Sequence, residues 1–160
     1  MSKMYKKILV PLDGSKLAEC VLPHVESIAK GCGVQSITFV RVAEPVRMPV
    51  SAEEDGFYSP KAWQQMEADS RVAARRYIDQ LRSRIKYDGI NVQTEVLTDK
   101  RAGDLIADYA TKNEFDLIVI STHGRSGISR WVWGSVADKI LRSACVPVLM
   151  VRAPGCVPGI

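Results

Sequence analysis

The chain has 160 residues, 46% hydrophobic and 25% charged, proportions that suit one soluble globular domain with a substantial core. Its formal net charge of +4 falls short of the dense basic stripe that marks a nucleic-acid surface. Four cysteines without a Cys-x-x-Cys pair, and only two histidines, support neither a disulfide framework nor a zinc site.

The N-terminal stretch "MSKMYKKILVPLDGS" starts basic, but its apolar run is short and soon meets Pro11 and Asp13. It reads as neither signal peptide nor membrane span, so a cytoplasmic protein with free thiols is expected, with no membrane or nucleic-acid partner. Within it, residues 7–12 ("KILVPL") predict a short buried strand ending at Pro11. Ser15 is placed to cap a helix running to about Lys30, with Leu17, Val21, Val25 and Ile28 as its buried stripe. Pro23 fits badly inside it, which predicts a kink or a regular part that starts near the proline. "GCG" at 31–33 ends that helix.

Residues 36–43 ("SITFVRVA") predict the second strand, rich in β-branched and aromatic residues. The segment 44–59, with two prolines, a glycine and the acidic run Glu53–Glu54–Asp55, has no periodicity and is long for a connection. Ser59–Pro60 supplies a cap followed by a first-turn proline. From there Ala74, Tyr77, Ile78, Leu81 and Ile85 recur at helical spacing, predicting a long helix over 60–87 that stops at Gly89. The basic cluster 82–86 lies on it as a solvated face.

A third strand, exposed on one side, is predicted at 91–97, and a third helix at 102–113 with Leu105, Ile106, Tyr109 and Ala110 on one face. "DLIVIS", 116–121, is an unbroken apolar run, as a central parallel strand requires. A fourth helix follows at 135–144 and a fifth strand at 146–152. The expected domain spans 1–152, and the patternless tail 153–160 is expected to be disordered. Strand–helix alternation throughout predicts an α/β fold: a single-domain, open, parallel five-stranded sheet with helices on both faces and right-handed crossovers, Rossmann-like.

In such sheets ligands gather beyond the carboxyl ends of the strands, where strand order reverses. Three loops then share a rim: the one after strand one, the one after strand two, and "STHGRSGISRWVWGS" at 121–135. In the last, glycines allow close backbone approach, while successive N–H groups and a following helix N-terminus favour phosphate. Ser126 and Ser135 supply hydroxyls, and Arg125 and Arg130 can add charge-assisted contacts. The plainer reading is a glycine-bearing connection, and neither Gly-x-Gly-x-x-Gly nor a P-loop occurs in the chain. Asp13 admits two readings, acceptor for a ribose hydroxyl or a metal on one side, and an Asx turn with Gly14 and Ser15 on the other. Val42 suits apolar contact with a base or simple core packing. His123 has no partner that makes a recognisable triad and is read as stabilising the loop; Trp131 and Trp133 are read as packing residues.

These residues resemble the universal stress proteins. "YKKILVPLDGS" is similar to the family's opening strand and aspartate loop, and "DLIVISTHGRSGISRWVWGSVADKILRSACVPVLMVR" to its closing half. The family's ATP-binding members carry Gly, two residues, Gly, nine residues, then Gly-Ser or Gly-Thr. Gly124, the stretch "RSGISRWVW", Gly134 and Ser135 reproduce all but the first glycine, where Ser121 stands. A serine there either crowds the sugar or base with its Cβ or bonds it with its hydroxyl. The resemblance implies an adenine nucleotide alpha-hydrolase-like fold with ATP as ligand, Mg or Mn being carried on the phosphates. It places Pro11, Leu12, Asp13 and Val42 around adenine and ribose. Ser121, Thr122, His123, Gly124, Arg125, Ser126 and Gly127, with Gly134, Ser135 and Val136, would hold the ribose and phosphates. It also implies a homodimer through the last strand, here 146–151 with Val146 and Val151 at its ends. An apolar edge strand needs such cover on physical grounds as well.

The expected function is a nucleotide-binding stress or signalling module with at most slow ATP hydrolysis, and with no catalytic residue or protein metal site assigned. The alternatives are a slow ATP hydrolase or phosphotransferase, and a member without nucleotide that acts through protein contacts. An ATP-dependent ligase or nucleotidyl transferase is a weaker rival, because "PLDGSKLAE" lacks a Ser-Gly-Gly-x-Asp-Ser run.

Overall fold

A computed structural model describes residues 4–43, 45, 60–99, 101–122 and 134–153. Five strands, β1 (Lys7–Pro11), β2 (Ser36–Ala43), β3 (Asn91–Thr98), β4 (Leu117–Ser121) and β5 (Val148–Val151), form one sheet in the order β3-β2-β1-β4-β5. Every pairing is parallel, with Leu9 of β1 opposite Thr38 of β2 on one side and Ile118 of β4 on the other. The helices are α1 (Leu22–Cys32), α2 (Pro60–Arg84), α3 (Ala102–Lys112) and α4 (Ser135–Ser143).

Alternation along the strands divides the core in two. Ile8, Val10, Ile37, Phe39, Leu117 and Val119 pack with Val21 and Val25 ahead of and within α1, and with Ile78 and Leu81 of α2. Leu9, Val40, Ile118 and Ile120 face the other way, onto Ile106 and Ala110 of α3 and Ala137 and Ile140 of α4. A strand buried on both sides must be largely apolar, which is why β1 and β4 read as nearly continuous hydrophobic runs, while β2 admits Thr38 and Arg41 among its apolar residues. β3, at an edge, is half-exposed along its length, alternating over Asn91–Thr94, with Val92 and Val96 packed on one face and Leu97 on the other.

The first helical segment resolves the problem of Pro23. A single tight turn, Ala18–Val21, comes first, and Ser15 Oγ accepts the N–H of Ala18 at 3.1 Å. Regular helix then begins at Leu22, so Pro23 falls in its first turn, where no intrahelical N–H partner is required. Gly33 ends α1 in the left-handed conformation, φ 63°, donating its N–H to Ala29.

Three expectations shift. α2 ends at Arg84 and β5 begins at Val148, each a little inside the predicted span. The face of α3 is rotated: Gly103, Ile106, Ala107 and Ala110 are buried, while Leu105 and Tyr109 are half-buried. The small residues turn inward because α3 packs directly on α4, and a Cβ at Gly103 would lie 2.6 Å from Lys139 Cβ. At the other end of the chain, Ala153 is buried and its N–H reaches Thr122 Oγ1 at 3.4 Å. The rest of the tail lies outside the described residues, as do 46–59 with the acidic run and the tryptophan pair.

Candidate functional site

β1 and β4 are neighbours, and strand order reverses between them, since the chain adds β2 and β3 to one side of β1 and β4 and β5 to the other. The crevice beyond their carboxyl ends is therefore the switch point at which open parallel sheets receive ligands.

On the β1 side, Pro11 and Leu12 are buried, and the Leu12 N–H donates to the Val40 carbonyl at 2.9 Å, extending the pairing with β2. The chain then turns. Asp13 Oδ1 accepts both the N–H and the hydroxyl of Ser15, at 2.9 and 2.7 Å, and Ser15 Oγ in turn accepts from Ala18. The Asx turn is thus present, and it orients the half-buried carboxylate at the rim. Gly14 sits at φ 88°, a conformation that side chains with a Cβ rarely adopt. Val42, two residues past the Val40 carbonyl that receives Leu12, is half-buried and packs against the α3–α4 side of the core.

On the β4 side, Ser121 and Thr122 are two of the three buried polar or charged residues among those described. Thr122 ties three elements together. Its N–H donates to Val151 of β5, and its carbonyl accepts the Gly134 N–H at 2.8 Å. The start of α4 is thereby fixed beside the end of β4, with Gly134 as cap residue and Asp138 N–H donating back to the Gly134 carbonyl. The first N–H groups of an α-helix have no intrahelical partner and carry the positive end of its dipole. At α4 that end opens on the rim, next to exposed Ser135 and half-buried Val136. His123, Gly124, Arg125, Ser126 and Gly127 lie outside the described residues, as do the residues up to Trp133; the flanks that carry them, Thr122 and Gly134, are hydrogen-bonded to each other.

Further residues stand beside the Asp13 turn that the sequence reading did not assign to the site. Arg41 of β2 covers Gly14, and its Cζ lies 5.1 Å from the centre of the Tyr77 ring on α2. The Tyr77 hydroxyl donates to Glu19 Oε1 at 3.2 Å, and Arg84 Nη2 lies 3.2 Å from both Glu19 oxygens. Burial, with the negative charge of Glu19 added to it, pushes the Tyr77 hydroxyl well above the usual tyrosine range, so it stays protonated and donating. The available signal was Arg41 itself, a charge interrupting an otherwise apolar strand. Among the described residues, no group of three or more His, Cys, Asp or Glu is placed to hold a metal ion.

Sheet order, the two covered faces and the switch-point crevice define a doubly wound, Rossmann-like α/β protein. The family model for universal stress proteins matches residues 4–152, and the chain belongs to the universal stress protein family. Universal stress protein MJ0531 of Methanocaldococcus jannaschii is 29% identical over 153 residues, covering 94% of this chain and 84% of the relative. Among solved structures, the hypothetical protein MJ0577 superposes with a TM-score of 0.76 at 22% identity, over 95% of this chain and 99% of that one. The universal stress protein from Archaeoglobus fulgidus in complex with dAMP has a TM-score of 0.55 at 22% identity, over 92% and 98% of the two chains. These structural likenesses establish the fold. No helix among the described residues is long and apolar enough to cross a membrane.

Proposed function

We propose that this chain binds an adenine nucleotide, ATP in the first place, in the crevice between β1 and β4, and that it acts as a dimeric stress-response or signalling module in the cytoplasm. The observation that carries the reading is the bond between Thr122 and Gly134, which seats the N-terminus of α4 beside the strand end that neighbours the Asp13 turn. A carboxylate at the end of one strand and a helix N-terminus at the end of its neighbour complement the two polar parts of a nucleotide. The first accepts ribose hydroxyls, and the second binds phosphate oxygens. The related protein in complex with dAMP supports the same ligand class.

In this reading Pro11, Leu12, Asp13 and Val42 meet adenine and ribose. Ser121, Thr122, His123, Gly124, Arg125, Ser126 and Gly127, with Gly134, Ser135 and Val136, meet ribose and phosphates. Magnesium or manganese, where present, is carried by the phosphates. The second copy of the chain docks on edge strand β5, whose Leu149 is 38% exposed.

Isothermal titration with ATP, with and without magnesium, tests the proposal. Saturable binding in the micromolar range is expected, and its absence up to millimolar ligand overturns it.

A further inference from the structure

The turn that holds Asp13 is gripped from two sides, and the outer grip does not belong to the nucleotide motif. From within, Asp13 Oδ1 binds Ser15, and Ser15 Oγ binds the Ala18 N–H. From outside, the Arg41 guanidinium lies over Gly14. A Cβ placed on Gly14 would stand 2.6 Å from Nη1, 2.8 Å from Cζ and 3.1 Å from Nη2, near-equal distances that describe a flat group covering the glycine. That group also lies over the Tyr77 ring, and Tyr77 is held by Glu19 in the tight turn that follows the Asp13 loop. Glu19 is itself held by Arg84 and Lys16, with its side chain only 11% exposed.

We propose that Arg41 is a positioning residue for ribose recognition: covering Gly14 and resting on Tyr77, it fixes the turn that presents Asp13. The inference rests on the reading of Asp13 as ribose acceptor given above. Its physical basis is the shape of the guanidinium, a rigid plane that packs against backbone and aromatic ring together, which a lysine ammonium on a flexible stem does not reproduce. Reorienting the Asp13 turn requires Gly14 to move against that plane, and the plane is anchored to α2. Ribose selectivity and the seating of α2 are linked through one side chain.

The test is titration of the wild type, Arg41→Gln and Arg41→Lys with ATP and with 2′,3′-dideoxy-ATP, folding being checked by circular dichroism. Wild type should prefer ATP. Arg41→Gln should lose about tenfold in ATP affinity, the scale of one hydrogen bond to a charged group, and less than about threefold for the dideoxy ligand. Arg41→Lys should fall between, and it carries the same comparison should the glutamine variant fail to fold. Equal weakening toward both ligands marks a general structural role and overturns the inference, as does unchanged ATP affinity or a wild type indifferent to the ribose hydroxyls. A wild type that binds neither ligand overturns the nucleotide reading itself, and this inference with it.

Discussion

Gly103 of α3 lies against Lys139 of α4 so closely that a Cβ at 103 would stand 2.6 Å from Lys139 Cβ, 2.7 Å from its Cγ and 3.3 Å from the Val136 carbonyl oxygen. Neither of the first two contacts is the far end of a flexible chain, so the helices themselves must part. Gly103→Ala is expected to destabilise the domain by about 1–3 kcal/mol through overpacking, against a helix-propensity gain of up to ~1 kcal/mol. The midpoint should fall by roughly 2–4 °C per kcal/mol of net loss, read by thermal denaturation. Because the Val136 carbonyl in the first turn of α4 is among the contacts displaced, ATP affinity should fall as well. A midpoint at or above wild type would show that α3 and α4 slide freely.

Gly31 makes the matched contrast. It lies near the end of α1 with nothing within 4 Å of a built Cβ. Gly31→Ala should therefore stabilise by about 0.4–1 kcal/mol, by restricting the unfolded chain and favouring helix. A lower melting temperature for this variant would contradict the packing described.

Gly14 and Gly89 separate backbone conformation from crowding. Both have positive φ, 88° and 74°, but only Gly14 has a neighbour within 4 Å. Alanine at 89 should cost roughly 1–2 kcal/mol for the left-handed conformation alone. Alanine at 14 also meets the Arg41 guanidinium, which is the far end of a flexible side chain and can shift aside at little cost in stability. It should therefore destabilise by about as much as alanine at 89, roughly 1–2 kcal/mol, but weaken ATP binding, which Gly89→Ala should leave intact. Unchanged ATP affinity in Gly14→Ala would show that the seat of Arg41 on this turn does not matter to the site.

Ser121 stands at the last position of β4, buried, where the nucleotide motif that the chain resembles would have its first glycine. Ser121→Gly should change ATP affinity by less than about threefold and cost roughly 0.5–1 kcal/mol of stability for a glycine within a strand. A gain of a hundredfold by titration would instead identify Ser121 as an obstruction and the natural chain as a poor nucleotide binder.

At the other side of the sheet, Leu149 of β5 is exposed on an edge strand. Leu149→Arg should convert dimer to monomer in sedimentation velocity, since a charge on the outer face of an edge strand opposes strand-to-strand association. A wild type that sediments as a monomer at micromolar concentration would remove this part of the proposal.

Much of the fold could be read from the chain because its causes are local or periodic. Strands β1 and β4 are apolar on both faces and β2 nearly so, β3 is half-exposed at an edge, and Pro23, Gly33 and Pro60 punctuate the helices through properties they carry anywhere. Alternation of strand and helix was enough for a parallel sheet with two covered faces. The same local logic placed Asp13 at a strand end and glycines before a helix, and the structure puts the two flanking strands side by side. What pattern reading could not supply were contacts between residues far apart in sequence. Asp116 looked like the edge of an apolar run, yet its Oδ2 accepts the N–H groups of Lys6 and Lys7 at 2.8 Å and pins the start of β1. Arg41 is a charge within a mostly buried strand, and Gly103 a glycine within a helix. Their roles come from what lies opposite them, Gly14 and Tyr77 for the one and Lys139 for the other. Burial pattern and turn chemistry are written residue by residue. Which side chain closes on which glycine is settled only when the helices dock, because close packing depends on the distance between elements and no single element encodes it.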